Sequence, residues 1–251
     1  MMQTANLTTV LPENLQYLIN SLKKHSSLTP EQVSNCVSQA KIKPQELMPW
    51  ADFNHPISHG YGRQLVYDGG HFEVMIMSWV PGDYSAIHDH GGTQWGAVQC
   101  FGQGEHYVYE FDQGMLRTLE RCDFAPNEVK AVDGDLIHQM GNSGESPFLS
   151  LHVYGSRKTQ GSITGNARIF DLFEKTIQRT DGGVFFCLPK EQINSLSYGL
   201  QGDRDTTLRH HQQMCAYISR IFLVQNDSQL RLKLITLKEQ IKRLKEENHS
   251  Q

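Results

Sequence analysis

The chain has 251 residues, 38% of them hydrophobic and 20% charged, with a formal net charge of -4. That is the make-up of an ordinary globule of one large domain, or one domain plus an extension, with no basic surplus for gripping nucleic acid. No apolar run reaches the length of a membrane span, residues 1–3 are too polar for a signal peptide, and the five cysteines are scattered and odd in number. A reducing cytoplasm is therefore expected, with neither a membrane anchor, a disulfide framework nor a zinc ribbon.

Residues 11 to about 50 read as helical. Leu15, Leu18, Ile19 and Leu22 recur at i, i+3, i+4 and i+7, which lines up one apolar face. Thr29-Pro30-Glu31-Gln32 has the form of a helix start, with Thr as cap, Pro at the first position and Gln at the third. Pro44-Gln45-Glu46-Leu47 opens another short turn. The spacing predicts a helical brace over residues 1–55.

Between 56 and 190 the pattern changes to short runs of β-branched and aromatic residues punctuated by Gly, Asp and Asn. Strands are predicted over 62–67, 72–79, 85–90, 96–101, 103–111, 116–121, 128–132, 135–142, 148–154, 168–175 and 183–188. Asp68-Gly69-Gly70 and Asp181-Gly182-Gly183 suit hairpin turns. Many short strands at even spacing predict a mainly β domain, a double-sheet jelly roll.

Residues 191–251 read as a helical extension. Leu230, Leu234, Leu237, Ile241 and Leu244 alternate steps of four and three with charged flanks, an a/d seam. Such a seam serves either self-association through this helix or packing on its own domain. Leu223 continues the register upstream, and Asp227 interrupts it.

The chemistry centres on residues 81–92. His88 and His90, two apart on a strand, share one face, while Asp89 points away. Imidazole suits iron, zinc, copper and nickel. A third ligand candidate is His138, on a strand leaving the Asp133-Gly134-Asp135 turn, with Asn142 four residues on. Ser150, His152 and Tyr154 alternate along one strand face, so a hydroxyl, an imidazole and a phenol can relay hydrogen bonds into a pocket. No Gly-x-Ser-x-Gly elbow surrounds Ser150, which speaks against a serine hydrolase. Tyr61 and Arg63 share a face upstream, and a guanidinium is suited to bidentate carboxylate capture.

Taken together and in this order, these residues resemble the cysteine dioxygenases, a cupin-fold family of mononuclear non-haem iron enzymes. The likeness runs from Tyr61 to Tyr154. It covers Tyr61 and Arg63, Trp79 nine residues before the first ligand, His88 and His90, Gly102, His138 with Asn142, and Ser150-x-His152-x-Tyr154. The resemblance implies a cupin-type jelly-roll barrel and Fe(II) held by His88, His90 and His138. It also implies substrate binding by Arg63 with Tyr61 and Trp79, and catalysis by Tyr154 supported by His152 and Ser150. The implied reaction takes L-cysteine and O2 to cysteine sulfinate.

Animal-type members carry a cysteine after the second ligand that is cross-linked to the tyrosine. Here Trp95 or Gly96 falls at that position, so no cross-link is expected, as in bacterial-type members. The glutamate usual in cupins after His-x-His is also missing, with Thr93, Gln94 and Trp95 filling that space. The alternatives are a dioxygenase for 3-mercaptopropionate or another small thiol, and a non-catalytic metal-binding cupin that senses a ligand. The mercaptopropionate branch has Gln where this chain has Arg63, which favours cysteine.

Overall fold

Helices α1 (Glu13–Leu22) and α2 (Pro30–Ala40) lie across the outside of a β-sheet in a computed structural model that describes residues 11–157, 162–225 and 227–246. Leu15, Leu18, Ile19 and Leu22 are buried along α1. At α2 the Thr29 hydroxyl accepts from the Gln32 amide, and the Gln32 side chain accepts from the Thr29 amide. The first turn thereby loses two open donors, as the sequence predicts. A short α3 (Pro44–Leu47) leads towards the strands.

Five strands form the sheet under these helices: β1 (Gly62–Asp68), β2 (Phe72–Trp79), β3 (Trp95–Cys100), β6 (Val129–Asp133) and β8 (Phe148–Gly155), in the order β1-β2-β8-β3-β6. Facing it are two smaller sheets. One has the order β12-β5-β4-β7, from β4 (Glu105–Asp112), β5 (Met115–Arg121), β7 (Ile137–Gly141) and β12 (Gln201–Gly202). The other has the order β11-β10-β9, from β9 (Ala167–Asp171), β10 (Thr176–Thr180) and β11 (Ser195–Tyr198). The result is a mainly β, double-sheet jelly roll of the cupin type, with helices at both ends of the chain.

The predicted strand at 85–90 is not a ladder strand. It closes the gap between β7 and β9 by isolated bridges, His88 to His138 on one side and His88 to Ile169 on the other. Loop-like backbone with bonds on both edges joins the two small sheets into one wall. The predicted strand at 183–188 is likewise a loop. Its apolar run is buried all the same, because Val184, Phe185 and Phe186 pack against the site and α4 (Arg204–Gln225). The second hairpin turn lies before β10, at Lys175 with φ 55°. Asp181 instead accepts from the Asn166 amide and from Asn194 Nδ2.

Alternation along β2 and β8 sorts the interior. Val74, Ile76, Leu149, Leu151 and Val153 face the helices, whereas Met75, Met77, Trp79 and Tyr154 belong to the barrel interior. Both faces of these central strands are covered, so every residue of β2 and β8 is buried.

After β12 the chain turns helical only at Arg204. The Asp203 carboxylate accepts from the Thr206 amide and caps α4. α5 (Ser228–Glu246) begins after Asp227, whose carboxylate accepts from the Leu230 amide. The residue that interrupts the seam is thus the cap of a new helix. Leu234 and Leu237 are buried within their own chain, in the cluster that also holds Met214, Ile218 and Ile221 of α4. The described residues contain no helix long and apolar enough to cross a membrane.

Candidate metal centre

The segment bearing His88 is bonded on both edges. The His88 amide donates to the His138 carbonyl at 3.0 Å, and the His138 amide returns to the His88 carbonyl at 2.9 Å. On the other edge Phe170 donates to Ile87 and Asp89 donates to Arg168. Asp89 turns away from the ligand face, as alternation requires. Its carboxylate accepts from the Arg168 amide at 2.7 Å, from Arg168 Nε, and from the Gly91 amide. Gly91 has φ 56°, and a Cβ there would meet the Gly165 carbonyl at 2.1 Å. Only glycine fits directly after His90.

These constraints bring His88, His90 and His138 together. One ring nitrogen from each lies within 4.8 Å of the others, and all three residues are buried. The His88 Nδ1 lies 2.9 Å from the Ala86 carbonyl, which leaves its Nε2 for the centre. Both ring nitrogens of His90 and Nε2 of His138 have no partner among the described residues. Buried polar atoms without partners are costly, so this cluster asks for an occupant. Burial, followed by the neighbouring imidazoles, holds His90 and His138 well below the ordinary histidine value; burial lowers His88 to about 4. Three neutral imidazoles offer three lone pairs, a donor set that fits a divalent transition metal.

The same cavity is lined by Tyr61, Arg63, Trp79, His152 and Tyr154. Ser150 sits behind it and completes a chain. Trp79 Nε1 donates to Ser150 Oγ at 2.8 Å, Ser150 Oγ lies 2.7 Å from His152 Nε2, and His152 Nδ1 lies 2.8 Å from the Tyr154 hydroxyl. When Ser150 donates to Nε2, the imidazole hydrogen sits on Nδ1 and points to Tyr154, and the phenol hydrogen is free for the cavity. Burial drives His152 down to about 3 and pushes the Tyr154 phenol up, so both are neutral. Trp79 spends its N–H on Ser150 and stacks on Tyr61 at 4.8 Å, which makes it a strut of the wall. Asn142, just past the end of β7, anchors the same wall by donating to the Trp79 carbonyl at 3.1 Å.

Arg63 donates to the Thr164 hydroxyl at 3.3 Å, and no carboxylate pairs with it among the described residues. The structure also separates Trp95 from Gly96. Gly96 is the register partner of Tyr154, and a Cβ there would lie 3.1 Å from the Tyr154 ring. Trp95 packs in the helix-side cluster. The residue beside the tyrosine is therefore Gly96, which has no side chain to link.

Sequence reasoning missed three contributors: Thr164 behind Arg63, Arg168 behind Asp89, and His106, whose Nε2 lies 2.9 Å from His138 Nδ1. Each meets its partner across strands or loops distant in sequence, so no local spacing announces it.

A family model described as cysteine dioxygenase type I matches residues 1–159. The chain belongs to this family. Among its relatives, cysteine dioxygenase type 1 of Danio rerio is 29% identical over 153 residues, covering 57% of this chain and 75% of the relative. The Homo sapiens protein of that name is 28% identical over 152 residues, covering 57% and 74%. Solved structures similar in part include a sugar phosphate isomerase of the cupin superfamily from Silicibacter pomeroyi. It has a TM-score of 0.37 and 18% identity, covering 58% of this chain and 82% of that one. A protein from Thermus thermophilus has a TM-score of 0.36 and 20% identity, covering 46% and 97%.

Proposed function

We propose that this protein is an Fe(II)-dependent thiol dioxygenase that converts L-cysteine and O2 to cysteine sulfinate in a reducing cytoplasm. The observation that carries the reading is one cavity holding both the three imidazoles and a guanidinium with no acidic partner among the described residues. Family membership supports the thiol dioxygenase class. The five free cysteines suit the compartment.

His88, His90 and His138 would hold the metal. Bound there, Fe(II) would supply Lewis acidity that favours a thiolate and the redox chemistry that O2 needs to react with it. The chain's own residues bind and orient. Arg63 pairs with the substrate carboxylate through its planar fork, a charge-assisted contact strengthened by the low-dielectric wall. Thr164 holds that fork from behind. Met75, Met77 and Val184 line the cavity and keep it dry. Tyr154 presents its hydroxyl hydrogen to the reacting end of the substrate, and the chain through His152 and Ser150 to Trp79 fixes that orientation. Both oxygens of O2 enter the product, since a thiol plus O2 equals a sulfinic acid, so no further reductant is needed.

The test is oxygen uptake by the Fe(II)-loaded protein with cysteine, cysteamine and 3-mercaptopropionate in turn, with sulfinate measured as product. Cysteine is expected to be consumed fastest, one O2 per sulfinate. Faster turnover of 3-mercaptopropionate would reassign the substrate, and no uptake with any thiol would favour a ligand-sensing cupin. Metal analysis of His88→Ala, His90→Ala and His138→Ala should show no retained iron. A full complement in the His138→Ala protein would remove that residue from the site.

A further inference from the structure

His138 is backed by another histidine. β4 and β7 run antiparallel, with Val108 opposite His138 and His106 opposite Met140, so His106 and His138 are diagonal neighbours on one face. Their rings lie 5.1 Å apart, His106 Nε2 is 2.9 Å from His138 Nδ1, and His106 Nδ1 is 3.1 Å from Cys122 Sγ. With Nδ1 engaged, the unpartnered Nε2 of His138 is the nitrogen left for His88 and His90.

A cation on His138 would fix every hydrogen in this line. A metal takes a ring nitrogen that carries no hydrogen, so the hydrogen of His138 must sit on Nδ1 and donate. His106 Nε2 then has to accept. Its own hydrogen is forced onto Nδ1, where the Cys122 sulfur receives it. One tautomer per ring satisfies all positions at once.

We propose that His106 is a positioning residue for metal binding, a built-in acceptor that holds the His138 ring turned with its Nε2 lone pair on the cation. The other ligands are served differently. His88 has a backbone carbonyl behind it, and His90 has no partner for either ring nitrogen among the described residues. His138 is thus the ligand whose aim depends on another side chain. This inference rests on the reading of His88, His90 and His138 as metal ligands.

The experiment is anaerobic Fe(II) titration of the metal-free full-length protein against a chelator of known affinity. It compares wild type, His138→Ala, His106→Leu, His106→Asn and His106→Gln, with melting of each metal-free protein recorded alongside. All three His106 variants lose the ring and its contact with Phe124. Glutamine places an amide oxygen where Nε2 was and can accept from His138. Asparagine reaches only towards Cys122, and leucine accepts nothing. We expect Fe(II) affinity roughly 10–100-fold weaker in the Leu and Asn variants and close to wild type in the Gln variant. If the Leu variant does not fold, the Asn and Gln pair carries the comparison. Equal affinity in all His106 variants, whether at the wild-type level or uniformly weakened, would overturn the positioning role. Unchanged affinity in His138→Ala would instead overturn the ligand assignment itself.

Discussion

Arg63 carries five N–H donors and spends one on Thr164, which leaves most of its fork for a ligand. If the substrate carboxylate takes the remainder, Arg63→Gln removes a charge-assisted contact worth about 1.5–3 kcal/mol. That is roughly a tenfold to hundredfold loss in kcat/KM for cysteine. Cysteamine has no carboxylate and should lose less. Steady-state oxygen consumption with both thiols at matched iron content decides it, and an equal loss for both would make Arg63 structural. Gly96 gives a second expectation at this scale: Tyr154 should be unmodified, and the intact mass should match the sequence apart from N-terminal processing. A peptide containing Tyr154 that lacks two hydrogens and is joined to another would refute it. The pair His88 and His90 and the row Ser150, His152 and Tyr154 were legible because a period of two puts alternate residues of an extended segment on one face, whatever it pairs with. His106 was not, because its meaning depends on the register of β4 against β7, which the local pattern does not contain. The choice between Trp95 and Gly96 was open for the same reason, and it closes once β3 is paired with β8.

Whole elements obey a similar division. Capped helices announce themselves in one stretch of chain, and the Thr29 box behaves as read. Asp227 shows the limit: a polar residue inside an apolar seam is read as a flaw until a helix is seen to start there. Asp227→Ala should cost about 1 kcal/mol of stability through the lost cap. Urea unfolding by circular dichroism would show a lower midpoint at unchanged slope, whereas no shift would mean that α5 is held by packing alone. The strands misread at 85–90 and 183–188 share one cause. Both are largely buried, and burial in a barrel with a helical cover does not require a ladder. β10 was missed in turn because Thr176–Thr180 is mostly polar and earns its place by pairing with β9 and β11.

On the scale of the molecule, the interior holds more histidine than the centre needs. Burial lowers His152 and His210 to about 3 and His211 to about 4. In the unfolded chain such groups titrate near 6.5. Below that value the unfolded state takes up protons that the folded state refuses, so stability falls with pH until the folded values are reached. Each group contributes up to about 1.4 kcal/mol per pH unit in that window. Asp171, raised by burial to about 6, works the other way between its ordinary value and there. His55 is raised chiefly by its bond to Asp83, so its contribution is full below about 6.5 and is lost as pH rises through its folded value. His152, His210 and His211, joined by His88, His90, His106 and His138, which burial lowers in the same direction, outweigh Asp171 and predict a metal-free protein whose melting temperature drops between about pH 6.5 and 5. A flat profile across that interval would contradict it. The paired bonds between His88 and His138 have a consequence for assembly. Slipping β7 by a single residue would turn His138 outwards and bring Gln139 in. The ring that closes the barrel wall is thus also the ring that sets two of the three clustered imidazoles at their distance. A chain with a mispaired wall would lack the centre altogether, and a bound cation would certify that the strands had found their correct partners.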